Sequence, residues 1–222
     1  MGATKAILAK ELKVEFRNKQ TIVSYLLLTV LILTAFRFAF ATIGEEHTEL
    51  AAPILWITIF FAGLFSMTPL YKREVDERTK EGLLLAPIEH QSVFLGKLMA
   101  SLLVVFGLEV VTLVLFFGFF TFPVPDMAAL GVIMVLGTFG FVTLGNILSA
   151  ISANLSQAGV MLMVLAIPVL LFTVVLSAIT ATSEIFAGGG LADVDQEWKL
   201  LAVFGLVYFA IGYILIDSIL EA

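Results

Sequence analysis

Residues 92–120, SVFLGKLMASLLVVFGLEVVTLVLFFGFF, decide the fold. From Leu98 to Phe120 the only ionisable residue is Glu109, and apolar side chains occupy every face of the helix this stretch would form. About twenty such residues suffice to cross the roughly 30 Å hydrocarbon core of a bilayer. In that medium the backbone must satisfy its own hydrogen bonds, which leaves helices or closed barrels. Barrel strands need alternating polarity over about ten residues, and this stretch has none.

Five further runs of the same kind flank it, near 21–43, 50–71, 127–152, 157–181 and 200–220. With 60% apolar and 14% charged residues and a mean hydropathy of +1.08, the chain lies outside the range of soluble domains. The sequence therefore predicts an all-α integral membrane protein, one transmembrane domain over 1–222 with six transmembrane helices. Orientation follows from the basic residues. The N-terminal arm carries Lys5, Lys10, Lys13, Arg17 and Lys19, and the region after the second run carries Lys72, Arg73, Arg78, Lys80 and Lys97. Residues 42–49 and 121–126 carry no Lys or Arg, and 183–199 carries only Lys199, so both termini are expected in the cytoplasm. The first run follows a basic arm, exceeds a signal core in length and lacks a small-residue cleavage pattern, and so reads as a retained anchor. The formal net charge of −6 argues against a nucleic-acid partner, and the absence of cysteine excludes disulfides and thiolate metal sites.

Within residues 3–20, Leu8, Leu12 and Phe16 recur every four positions, with Lys5, Lys10, Lys13 and Arg17 largely on other faces. That pattern suits an interfacial amphipathic helix. The sequence around Pro123 and Pro125 reads as a tight turn, and the glycines 188–190 as a flexible loop. Pro168 is expected to kink the fifth span, and Gly145, Ser149 and Ala153 form a small-residue face on the fourth.

Ionisable residues inside spans are the usual pointers to function in membrane proteins. Arg37, about 24 Å beyond Thr21, and Glu109 both fall toward the outer side, which makes them a candidate intramembrane charge pair. A neutral Glu109 packed against a neighbouring helix is the alternative. Asp217, near the cytoplasmic end of the last span, is expected to be solvated. One deep acid and one proline are meagre equipment for an ion-coupled carrier. The chain also lacks the G-x-x-x-x-G-K-[ST] pattern of a phosphate-binding loop, so ATP hydrolysis, if used, falls to another subunit and this chain is no enzyme. Such a partner has one long charged segment to meet, 72–91, where eight charged residues in ten give way to Leu83, Leu84, Leu85 and Pro87.

That segment carries a resemblance. Arg73-Glu74, Asp76, Glu77, Thr79, Glu81, Leu83 to Leu85, Ala86-Pro87 and Leu95-Gly96-Lys97 are similar to the loop between the second and third spans of type-2 ABC exporter permeases. With Glu11, Phe16-Arg17 and Ile167-Pro168-Val169, nearly the whole chain resembles the CcmB family, the haem exporter B permeases of cytochrome c maturation. Arg78-Thr79 departs from the pattern, since many relatives have Gly before Ser or Thr, which puts the local turn in doubt. The resemblance implies a permease subunit of the bacterial inner membrane, and because six spans are few for a translocation path, two copies are expected in the complex. Its implied partners are a CcmA-like ATPase holding ATP and Mg, and CcmC-, CcmD- and CcmE-like proteins. Arg73, Glu74, Asp76, Glu77, Arg78, Thr79 and Glu81 would give a coupling helix its register on the ATPase, and Leu83, Leu84, Leu85 and Pro87 its buried area.

Haem is implied as cargo and not as a resident cofactor. His47 and His90 lie on opposite predicted faces and cannot form one bis-His site; His47, outside, is the weak candidate for haem contact. ATP use for release of the haem-loaded chaperone CcmE is an equal reading. A permease for a lipid, drug or polysaccharide, and a non-transporting scaffold, remain alternatives.

Overall fold

A computed structural model describes residues 2–43, 48–67, 71, 88–121, 124, 126–153 and 157–221, with the side chains of 21, 41–43, 48, 64–67, 153, 157–171 and 220–221 excepted. These residues form helices α1 (Gly2–Arg17), α2 (Lys19–Ile43), α3 (Ala51–Met67), α4 (His90–Phe119), α5 (Met127–Ala153), α6 (Gln157–Phe186) and α7 (Asp195–Glu221), with a short 3-10 turn, Thr48–Leu50, before α3. Helices α2 to α7 fall on the six apolar runs. Ile22–Phe40, His90–Phe119, Met127–Ser152 and Asp195–Ile219 are long and apolar enough to cross a membrane, while Ala51–Gly63 and Phe172–Phe186 are shorter apolar helices among the described residues.

Helix boundaries follow local chemistry. Only Asn18 separates α1 from α2, and its N–H donates back to the carbonyls of Val14 and Glu15. Asp126 caps α5, its Oδ1 accepting the Ala129 N–H at 2.9 Å. At the end of α6, Gly188 takes φ of 109° while Gly189 and Gly188 donate to Glu184 and Ile185, a left-handed C-terminal cap. The glycine run thus makes a built turn, closed by Asp193 Oδ2 accepting from Gly190 N–H. α6 runs through Pro168, and the turn residues Phe122, Pro123 and Pro125 lie outside the described residues.

The core lies between α3 and α5. In α3, Ala51, Ala52, Ile54, Leu55, Trp56, Ile59, Phe60 and Ala62 are buried, and 61% of the α5 span is buried against 17% for α2. Trp56 Nε1 donates to Thr182 Oγ1 at 2.8 Å, tying α3 to α6. α5 and α7 approach closely at Gly205, where a Cβ would meet the Phe139 ring at 2.7 Å. α1 lies against α4.

Candidate functional site

The face of α1 that packs on α4 is not its apolar stripe. Ile7, Glu11 and Glu15, four apart, are the buried residues, while Phe16 is 70% exposed. Leu8, Leu12 and Phe16 edge the helix beside this buried face, and Phe16 is left to the surroundings. Burying a carboxylate is costly unless it is paired and hydrogen-bonded, and Glu11 is both. Its Oε1 accepts from Lys97 Nζ at 3.0 Å, with the two side chains 5% and 1% exposed. Lys10 Nζ reaches the same oxygen at 3.2 Å from a half-exposed position. Burial pushes the Glu11 carboxyl up, but the charges of Lys97 and Lys10 outweigh it and hold the group below its ordinary value.

Adjacent Gly96 is what allows this contact. A Cβ there would lie 2.7 and 2.8 Å from Cγ2 and Cβ of Ile7 and 3.1 Å from the Thr4 carbonyl oxygen. A glycine and a lysine in succession therefore serve α1 together, one by close backbone approach and the other by an ionic bond.

The Lys97 ammonium also sits 4.7 Å from the centroid of the Tyr71 ring. Tyr71 in turn reaches α5: its hydroxyl donates to Asn146 Oδ1 at 3.0 Å and its N–H to Ser149 Oγ at 3.4 Å. Ser149, part of the small-residue face, thus receives a loop backbone. At the same end of the bundle, Asp217 of α7 accepts from Gln91 Nε2 at 2.7 Å and contacts His90 Nδ1 at 3.2 Å. These bonds bring a carboxylate to the first turn of α4, where the helix dipole favours negative charge. Asp217, expected to be solvated, is half-exposed but engaged, and His90 opens a helix where a loop residue was expected.

The predicted coupling residues Arg73, Glu74, Asp76, Glu77, Arg78, Thr79, Glu81, Leu83, Leu84, Leu85 and Pro87 lie outside the described residues, as does His47. Their flanks do not. Tyr71 stands on one side of that segment and the Asp217-bound start of α4 on the other. Of the candidate charge pair, Arg37 is exposed on α2, whereas Glu109 is 3% exposed on α4 and accepts from Thr138 Oγ1 at 2.7 Å. The side chain of Pro168 lies outside the described set. Sequence reasoning took Lys97 for a topology marker; its available signal was a lysine seven residues inside an apolar helix, next to a glycine.

Long apolar helices around a buried α3–α5 core, with a buried ionic bond joining α1 to α4, define a multi-pass membrane protein. The chain belongs to the CcmB protein family, which matches residues 2–219. It is 26% identical over 175 residues to heme exporter protein B of Rhodobacter capsulatus, covering 78% of this chain and 80% of that one. The heme exporter protein B of Escherichia coli K12 is also 26% identical, over 94 residues that cover 42% of this chain and 43% of that one.

Proposed function

We propose that this chain is the membrane permease subunit of an ABC-type complex of cytochrome c maturation, coupling ATP hydrolysis on a separate CcmA-like subunit to haem export or to release of the haem-loaded chaperone CcmE. In this reading it crosses the bacterial inner membrane six times with both termini in the cytoplasm. Two copies work with CcmC-, CcmD- and CcmE-like partners.

The observation that carries the proposal is the buried Glu11–Lys97–Tyr71 network, which meets the chain where segment 72–87 departs. A displacement of that segment by the ATPase is passed to α1 through Lys97 and Glu11, and to α5 through Tyr71 and Asn146. Segment 72–91 supplies the docking helix, its charges setting register and Leu83 to Leu85 the buried contact. Family membership supports the haem-handling role, as do the names of the two relatives. His90 is engaged by Asp217, which fits a cargo not gripped by a histidine pair of this chain.

The test is co-purification with the CcmA-like ATPase and measurement of its ATP turnover in nanodiscs. Reversing Glu77 and Glu81 to Lys is expected to abolish both partner retention and stimulated turnover. Lys97→Met is expected to keep the partner and lose the stimulation. Full retention and stimulation in the Glu77/Glu81 reversal would overturn the docking assignment.

A further inference from the structure

A groove of about 700 Å³ lies between α4 and α5, away from the Glu11–Lys97 bond. Its lining includes Phe106, Glu109, Leu113 and Gly118 of α4 and Leu130 and Gly131 of α5. It opens sideways, past Val114 and Val135, which are 68% and 53% exposed. From Phe106 to Gly118 it runs about 18 Å along α4, and Glu109 lies about 15 Å short of the helix end at Phe119. The carboxyl thus sits well inside the apolar length of α4.

Two features set this groove apart from a gap between helices. Gly118 and Gly131 have nothing within 4 Å of the position a Cβ would take, so the hollow exists because these residues lack side chains. Among the described residues, the ionisable one in the lining is Glu109, buried to 3% exposure. Thr138 donates to its Oε1 at 2.7 Å. A lipid tail would fill the hollow but bring nothing polar to the acid in its wall, and acids inside a span commonly pair with a polar or charged group. A ligand ending in a carboxylate would set acid against acid, whereas an amine can take up the carboxyl proton and pair with it. Pockets of 300–1,000 Å³ with apolar walls and one or two polar groups suit small molecules more than a helix.

We propose that the α4–α5 groove binds an elongated lipophilic amine, entering from the bilayer, with its ammonium seated on Glu109 and its chain lying past Gly131 and Gly118. The assignment does not depend on ATPase coupling.

The full chain, purified into phosphatidylcholine nanodiscs, is photolabelled with octadecylamine carrying a diazirine on its chain, and in parallel with the chain-matched stearic acid. The amine is expected to label α4 and α5 peptides at least tenfold more than the acid. Gly131→Leu and Gly118→Leu, which fill open space, are expected to remove that labelling with the thermal midpoint unchanged or raised. Glu109→Gln is expected to lower amine labelling about tenfold and leave the acid unaffected. Equal labelling by amine and acid would make the groove an acyl-chain site and overturn the proposal. So would labelling that survives both leucine variants. A photocrosslinker at Val114 that captures another protein in native membranes, with added amine failing to compete, would assign the groove to a partner helix and overturn it equally.

Discussion

The Glu11–Lys97 bond gives an asymmetric double-mutant cycle whose sizes follow from geometry. Both side chains are at least 95% buried, and their 3.0 Å bond is the ionic tie between α1 and α4. Removing one member of such a pair leaves an uncompensated buried charge, at about 3–5 kcal/mol. Glu11→Leu falls in that range, because it removes the carboxylate from a Lys97 ammonium that is 1% exposed. Lys97→Met costs less, about 2–3 kcal/mol, because Lys10 still reaches Glu11 Oε1. Replacing both with apolar residues of similar volume should fall within about 1 kcal/mol of the parent.

Hydrogen exchange over residues 2–17 reads this directly, since α1 can open without the rest of the bundle. Glu11→Leu is expected to speed α1 exchange by roughly two to three decades, Lys97→Met by about one to two, and the double variant to return it near the parent rate. A double variant no better than Glu11→Leu alone would refute the pairing as the source of docking strength. Equal costs for the two single variants would refute the role of Lys10.

The depressed Glu11 carboxyl carries a pH signature: α1 docking should be constant above the ordinary carboxylate value of about 4.3 and weaken as pH falls through the lower folded value. Anisotropy of a fluorophore pre-attached at Lys13→Cys, unambiguous because the chain has no other cysteine, should show that loss, and Glu11→Gln should flatten it. Gly96→Ala should displace α1 and cost about 1–3 kcal/mol, because the Cβ of Ile7 and the Thr4 carbonyl cannot rotate away; the same probe should report increased mobility. Thr182→Val strands the buried Trp56 N–H and should cost about 1–3 kcal/mol in thermal or denaturant unfolding, with Thr182→Ser largely sparing it.

The helices were legible in the sequence because hydrocarbon demands about twenty apolar residues and a self-bonded backbone. Which helix stands in the middle was not. Against lipid a leucine gains nothing by moving inward, so hydropathy cannot separate the buried α3 from the exposed α2. The small residues of α5 hinted at close packing, but Gly205 of α7 meets Phe139 and Gly140 through space that sequence spacing does not encode.

That α1 packs on α4 through another face than its apolar stripe has a sharper cause. An apolar stripe at i, i+4, i+8 usually marks the packed face, and Leu8, Leu12 and Phe16 form one. That rule assumes water on the other side. For a helix beside a bilayer, Phe16 can face the surroundings at no loss, and the packed face is free to carry Glu11 and Glu15 if the neighbour supplies cations. The neighbour does so with Lys97, seven residues along α4, where a lysine would otherwise be expensive. Each charge thus explains the other. Glu11 near the N-terminus and Gly96-Lys97 near the middle are two halves of one contact that fixes α1 on α4.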